Sequence, residues 1–284
     1  MQKRVAAIHD ISGFGKCSLT VALPVISAAG IEVSVIPTAV LSTHTGGFTG
    51  FTYRDLTDDI LPIANHWCTL GLKFDALYSG FLGSFEQIDM MEKVFDRLRS
   101  DETLIMVDPV MADDGALYKV FPDNFPDGMR KLCAHAHIIV PNITEAALLT
   151  RQIYREGPYT REYIENMLKE LAALGPQRVV LTGVYFDEHS LGAAAYDAQT
   201  GTVDYAFAQR IQGSYHGTGD VFASALLSAV LRGFPLAESA QIAVDFTTES
   251  IRRTQKAGTD VRFGVNFEEG LPSLGERLGL SSAQ

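Results

Sequence analysis

The stretch "HGTGD", residues 216 to 220, places a carboxylate directly after two glycines and directly before the helix-like run "VFASALLSAV". Gly217 and Gly219, with Thr218 between them, allow backbone N–H groups to approach an anion closely, and the N-terminus of the following helix adds a favourable dipole. Asp220 reaches the same space, where it is able to accept a proton from a hydroxyl attacking a phosphoryl group. The spacing also suits a plain helix cap, so both roles stay open on this motif alone.

Two further clusters follow apolar runs. "VDPVMADDG" (107–115) supplies Asp108, which reads as a strand terminator before Pro109 or as part of a metal–phosphate site. "VPNITEAALL" (140–149) supplies Asn142 and Glu145. Three residues apart at a helix start, they face one side and suit either a hydrated Mg2+ or a capping box. The glycine cluster "DISGFGKCS" (10–18) fits neither familiar phosphate loop: Asp10 stands where a Walker loop needs glycine, Cys17 where it needs Ser or Thr, and Ser18 where a dinucleotide fingerprint needs its third glycine. It reads as a tight strand-to-helix turn capped by Asp10 or Ser12, whose polar groups are also placed to bind substrate.

These motifs need a frame that brings strand ends together. The apolar runs at 4–8, 33–36, 75–80, 104–109, 137–141 and 178–183 do not alternate with polar residues, which suits strands buried on both faces. Amphipathic stretches between them, such as 84–99 and 161–174, make the pattern βαβ and predict an α/β fold with a mainly parallel sheet. In such a sheet ligands bind beyond the C-terminal ends of the strands, where these polar clusters stand. Residues 191–197 and 202–208 predict an antiparallel hairpin at one side, followed by helices at about 218–232 and 236–253. No repeat or flexible linker interrupts the chain, so one domain over residues 1–284 is expected.

The formal charge of −11 disfavours nucleic acid, because neutralising phosphates along a duplex requires a broad basic surface. The N-terminal apolar run stops at His9 and Asp10, too short for a signal peptide or a membrane span, and a cytoplasmic location is expected. The three cysteines, Cys17, Cys68 and Cys133, are far apart and read as free thiols. Disorder is expected only at 281–284.

"GTGD", "DPVM", "PNITEAALL" and "LTG" occur in this order in the ribokinase-like superfamily, which the chain resembles over nearly its whole length. The resemblance implies a three-layer α/β/α sandwich with an antiparallel edge hairpin; only about twenty residues separate Pro37 from the next helix, so no separate lid domain is expected. It also implies phosphorylation of a primary hydroxyl by Mg·ATP, with Asp220 as base, Gly217, Thr218 and Gly219 as anion hole, and Asp108 and Glu145 organising Mg2+. Asn142, Thr182 and Gly183 fall on the ATP side, and K+ is a further candidate ion.

Within the superfamily, "LSTHTGGF" (41–48) and "YSGFLGS" (78–84) resemble the substrate segments of the pyridoxal kinases. This likeness implies a B6 vitamer and ATP as partners, and a homodimer. Thr43, His44, Thr45, Ser12 and Asp10 become candidates for gripping the edge of a pyridine ring, with Phe81 beside it; His44 also reads as a structural loop histidine. Asp10 departs from the serine of that group. The hydroxymethylpyrimidine kinases of thiamin synthesis are the alternative, since they share "DPVM" and a similar first loop, but they generally carry cysteine where Asp220 stands and lack "THTG". A non-catalytic binding protein on the same fold would be expected to have lost Asp220 or Glu145.

Overall fold

The unalternating runs become strands because each is packed on both sides. The computed structural model describes residues 2–280; the expectation for 281–284 lies outside the described residues. In chain order the strands are β1 (Arg4–Ser12), β2 (Glu32–Leu41), β3 (Tyr53–Asp55), β4 (Ala76–Ser79), β5 (Leu104–Val107), β6 (Ala112–Asp113), β7 (Ala116–Leu117), β8 (Ile138–Ile139), β9 (Arg178–Val184), β10 (Ser190–Asp197) and β11 (Thr202–Gln209). All but β6 and β7 form one sheet in the order β11-β10-β9-β8-β5-β4-β1-β2-β3. The six strands from β9 to β2 in that order run parallel, and β3, β10 and β11 add antiparallel edges.

Successive side chains of the central strands point to opposite helical layers. Leu77, Ile105, Val107, Val179 and Leu181 pack into a core with α2 (Thr57–Thr69), α3 (Phe85–Leu98), α4 (Phe125–Ala134), α5 (Ile143–Thr150) and α6 (Arg161–Ala172). Tyr78, Met106 and Val180 pack into a second core with α1 (Leu19–Ala28), α7 (Thr218–Leu231), α8 (Leu236–Ala257) and α9 (Leu271–Arg277). The fold is therefore a three-layer sandwich. Side-chain caps fix α3 and α6 at their starts, Ser84 accepting from the Gln87 amide and Thr160 from the Tyr163 amide. α7 is apolar nearly all round because it is buried between α1 and α8.

Two differences from the sequence expectation matter for the site. β2 continues past the apolar run to Leu41, and β3 pairs with it from Ala39 to Leu41. Pro37 can lie inside β2 because β3 begins pairing only at Ala39, so its missing N–H breaks no ladder on that side. β1 likewise runs on to Ser12, with its register against β2 shifting between His9 and Ile11. Asp10 and Ser12 are thus strand residues and cap no helix; the N-cap of α1 is Ser18.

Candidate active site

The C-terminal ends of β1, β4, β5 and β9 open into a cleft of about 820 Å3. β1 supplies Asp10 and Ser12, the loop after β2 supplies His44 and Thr45, and the turn after β4 supplies Phe81. From the other side come Asp108 after β5, Asn142 and Glu145 at the start of α5, and Thr182 and Gly183 in β9. Gly217, Thr218, Gly219 and Asp220 close it at the head of α7. Among the sequence candidates Thr43 does not line the cleft, because its hydroxyl turns back to the His44 carbonyl at 3.1 Å.

The glycines differ in what they allow. Gly217 is the N-cap of α7 with φ 75°, and a Cβ there would collide with the Lys16 carbonyl oxygen, so the turn itself demands glycine. At Gly219 a Cβ would meet nothing within 4 Å, so packing imposes no such demand. That open space belongs to the cleft, beside the first-turn N–H groups that have no partner within the helix. It has the form of an anion cradle. Asp220 makes no side-chain cap bond to α7; the cap reading fails because Gly217 takes that position. Its half-buried carboxyl lies on the cleft wall, pushed up to about 7 by desolvation, with the Ser18 amide opposing the rise and the Asp10 carboxyl adding to it.

Asn142 and Glu145 form the capping box that their spacing allowed. The Asn142 side chain accepts from the Glu145 amide at 2.9 Å, and Glu145 Oε2 accepts from the Asn142 amide at 2.9 Å. Asn142 Nδ2 donates to the Ala112 carbonyl at 2.8 Å, and Glu145 Oε1 accepts from the Met111 amide at 3.1 Å. The box therefore also ties the β6–β7 ribbon to the head of α5. Burial pushes Glu145 up to about 8, and burial with the nearby Glu145 and Asp220 carboxyls pushes Asp108 well above the usual carboxylate range. Two such acids facing one cleft suit a hard cation that would restore their ionised forms. Among the described residues no three His, Cys, Asp or Glu side chains cluster at metal-holding spacing, so a bound cation would take further ligands from a nucleotide and water.

At the acceptor end His44 has both ring nitrogens committed to the chain. Nδ1 accepts from the Gly46 amide at 3.1 Å, which leaves Nε2 to donate to the Arg262 carbonyl at 2.6 Å. Burial and the neighbouring His216 ring keep it neutral, its pKa lowered. His44 thus fastens its loop and offers the cleft a ring wall, which leaves Thr45, Ser12 and Asp10 for polar contacts. Asp10 is 4% exposed and accepts from Ser12 at 3.1 Å and Ser18 at 2.5 Å; its pKa is raised, chiefly by burial.

Sequence reasoning passed over several cleft residues: Ser18, Asp113, Tyr118, Lys119, Arg210 and His216. Only His216, next to Gly217, had a local signal. Asp113 to Lys119 enter because the β6–β7 ribbon folds over α5, and no periodicity announces two-residue strands.

The model of the phosphomethylpyrimidine kinases matches residues 23–264. The chain belongs to the phosphomethylpyrimidine kinase family. A candidate kinase of this family from Bacteroides thetaiotaomicron, solved in an orthorhombic form with pyridoxal, is 36% identical with a TM-score of 0.92, over 96% of this chain and 96% of that one. Pyridoxal kinase from Lactobacillus plantarum is 33% identical with a TM-score of 0.88, over 96% of this chain and 97% of that one. The pyridoxine/pyridoxal/pyridoxamine kinase of Bordetella avium is 26% identical over 269 residues, 89% of this chain and 86% of that protein. This member of the phosphomethylpyrimidine kinase family is therefore an ATP-dependent kinase with the ribokinase-like fold. Among the described residues no helix is long and apolar enough to cross a membrane.

Proposed function

We propose that the cleft transfers the γ-phosphoryl group of ATP to the 5'-hydroxymethyl group of pyridoxal, pyridoxamine or pyridoxine. The observation that carries this reading is Asp220 at the head of α7, beside the open space at Gly219, in one cleft with Phe81, His44, Asp108 and Glu145. Likeness to B6 kinases, and to a relative solved with pyridoxal, supports the vitamer as acceptor. Asp220 takes the proton of the hydroxymethyl group while its oxygen bonds to the γ-phosphorus and the bond to the ADP oxygen breaks. The Gly217 to Gly219 amides and the α7 dipole meet the charge of the transferring group. Mg2+, held by Glu145 and Asp108 with nucleotide oxygens, would neutralise charge on the phosphates when bound. Thr182 and Gly183 lie on the nucleotide side; Phe81 and His44 wall the ring, with Asp10, Ser12 and Thr45 at its polar edge.

Membership of the phosphomethylpyrimidine kinase family favours a second acceptor, hydroxymethylpyrimidine or its phosphate, and Asp10 suits the amino group of that ring as well as a pyridinium nitrogen. An ATP-consumption assay across the three B6 vitamers, hydroxymethylpyrimidine and ribose separates the readings. The B6 vitamers are expected to turn over fastest; hydroxymethylpyrimidine as sole good substrate would overturn the assignment. We further infer a cytoplasmic homodimer acting as one domain, a location supported by three unpaired cysteines among the described residues. Sedimentation of the purified protein at the monomer mass would remove the dimer.

A further inference from the structure

Ser18 has no part in the chemistry above, yet three unusual features meet in it. It is the N-cap of α1, but its side chain caps nothing and instead donates to Asp10 Oδ1 at 2.5 Å, the length of a charge-assisted bond. Its backbone stands at φ 56° and ψ −130°, a conformation that glycine adopts freely and a side chain does not. Its chain neighbours Lys16 and Cys17 pack against Gly217 at the head of α7, so Ser18 lines the cleft together with Asp220. A forgone cap and a strained backbone at one residue persist where the surroundings over-determine them, and such places cluster at working sites. Here the surroundings are a bridge pairing Ile11 with Ser18 and the first turn of α1, in which the Ser18 carbonyl accepts from the Val21 and Ala22 amides.

We propose that Ser18 is a positioning residue for phosphoryl transfer, holding Asp10 through its hydroxyl in one fixed arrangement with the head of α7, where Asp220 stands. The proposal rests on the reading of Asp220 as base. Asp10 belongs to the acceptor end of the cleft and Asp220 to the head of α7, so the residue that fixes Asp10 beside that helix head sets where an acceptor hydroxyl meets the base. The second hydroxyl on Asp10, from Ser12 at 3.1 Å, makes the longer bond; without Ser18 the Asp10 carboxylate is free to swing toward it. Ser18 is 6% exposed, so its hydroxyl is held within the wall of the cleft. A misplacement on the scale of an ångström costs up to about a hundredfold in rate.

Ser18→Ala and Ser18→Gly both remove the hydroxyl, but only glycine relieves the backbone. We would measure melting temperature and steady-state kinetics for both, using whichever alcohol the wild type phosphorylates fastest, so that the outcome does not depend on the acceptor being a B6 vitamer. The expected result is a fall in kcat of about tenfold or more in both variants to a similar extent. KM for ATP should stay within about twofold, and Ser18→Gly should melt above Ser18→Ala. Turnover that follows melting temperature, with Ser18→Gly active and Ser18→Ala impaired, would make Ser18 structural and overturn the proposal, as would normal kcat in both. If Ser18→Ala does not fold, Ser18→Gly decides alone. Adding Asp10→Asn to Ser18→Gly should cost no more than the worse single change; fully multiplicative losses would refute the shared arrangement. Near-normal turnover of Asp220→Asn would instead remove the base reading itself, a separate result.

Discussion

At neutral pH the Asp220 carboxyl is divided between its two protonation states, because burial holds it at about 7. Only the ionised form can take a proton from the acceptor. The kcat/KM for the acceptor should therefore rise about tenfold per pH unit below 7 and level off above it. Asp220→Asn should lower kcat by about 10²–10⁴-fold, erase that acid limb and leave ATP binding intact, as read by pH-rate profiles and nucleotide titration. Glu145→Gln presents one N–H2 where two backbone amides now find acceptors, so it should raise the Mg2+ concentration needed for half-maximal rate and lower the melting temperature. An unchanged Mg2+ titration would take Glu145 out of the metal role. These acids could be read from the sequence because residue type and short spacing carry their chemistry. The commitment of His44 could not be read, since its partner Arg262 lies 218 residues away. Nor could the position of Ser18, which depends on one backbone angle.

The elements that hold these residues were legible where burial dictates pattern. The parallel strands, the hairpin of β10 and β11, and helices α3, α6 and α7 follow from apolar periodicity and caps, although β1 and β2 run on past their apolar runs to Ser12 and Leu41. The sequence pattern was silent on β3, β6 and β7, which are two or three residues long and exist only because a neighbouring strand or helix receives them. The head of α7 combines both cases and gives a paired test. Gly217→Ala forces a side chain against the Lys16 carbonyl at a positive φ, so it should destabilise the fold and abolish turnover together. Gly219→Ala adds a methyl to open space in the cleft. Its melting temperature should stay near that of the wild type while kcat falls, because the methyl occupies the room proposed for the transferring phosphoryl group. Equal stability loss in the two variants would mean that the second glycine serves the turn and not an anion.

Across the whole molecule the cleft gathers Asp10, Asp108, Glu145 and Asp220, all with raised pKa values, in a chain that already carries a formal charge of −11. Such a site is poised for a divalent cation and costs stability until one arrives with the nucleotide. For Asp220 the sign follows from linkage. Its folded pKa of about 7 exceeds the ordinary 3.8, so between those values the folded state binds more protons than the unfolded one, and stability falls as pH rises through that window. Above pH 7 the full penalty is present. Replacing Asp220 by Asn removes this titration, so the ligand-free variant should melt above the wild type at pH 8, with the gap closing as pH approaches 4. Thermal melts of both proteins at half-unit pH intervals, without nucleotide, measure that gap directly. A gap independent of pH would mean that the carboxyl is solvated well enough to ionise normally, and the neutral-pH base would then need its shift from the bound substrates.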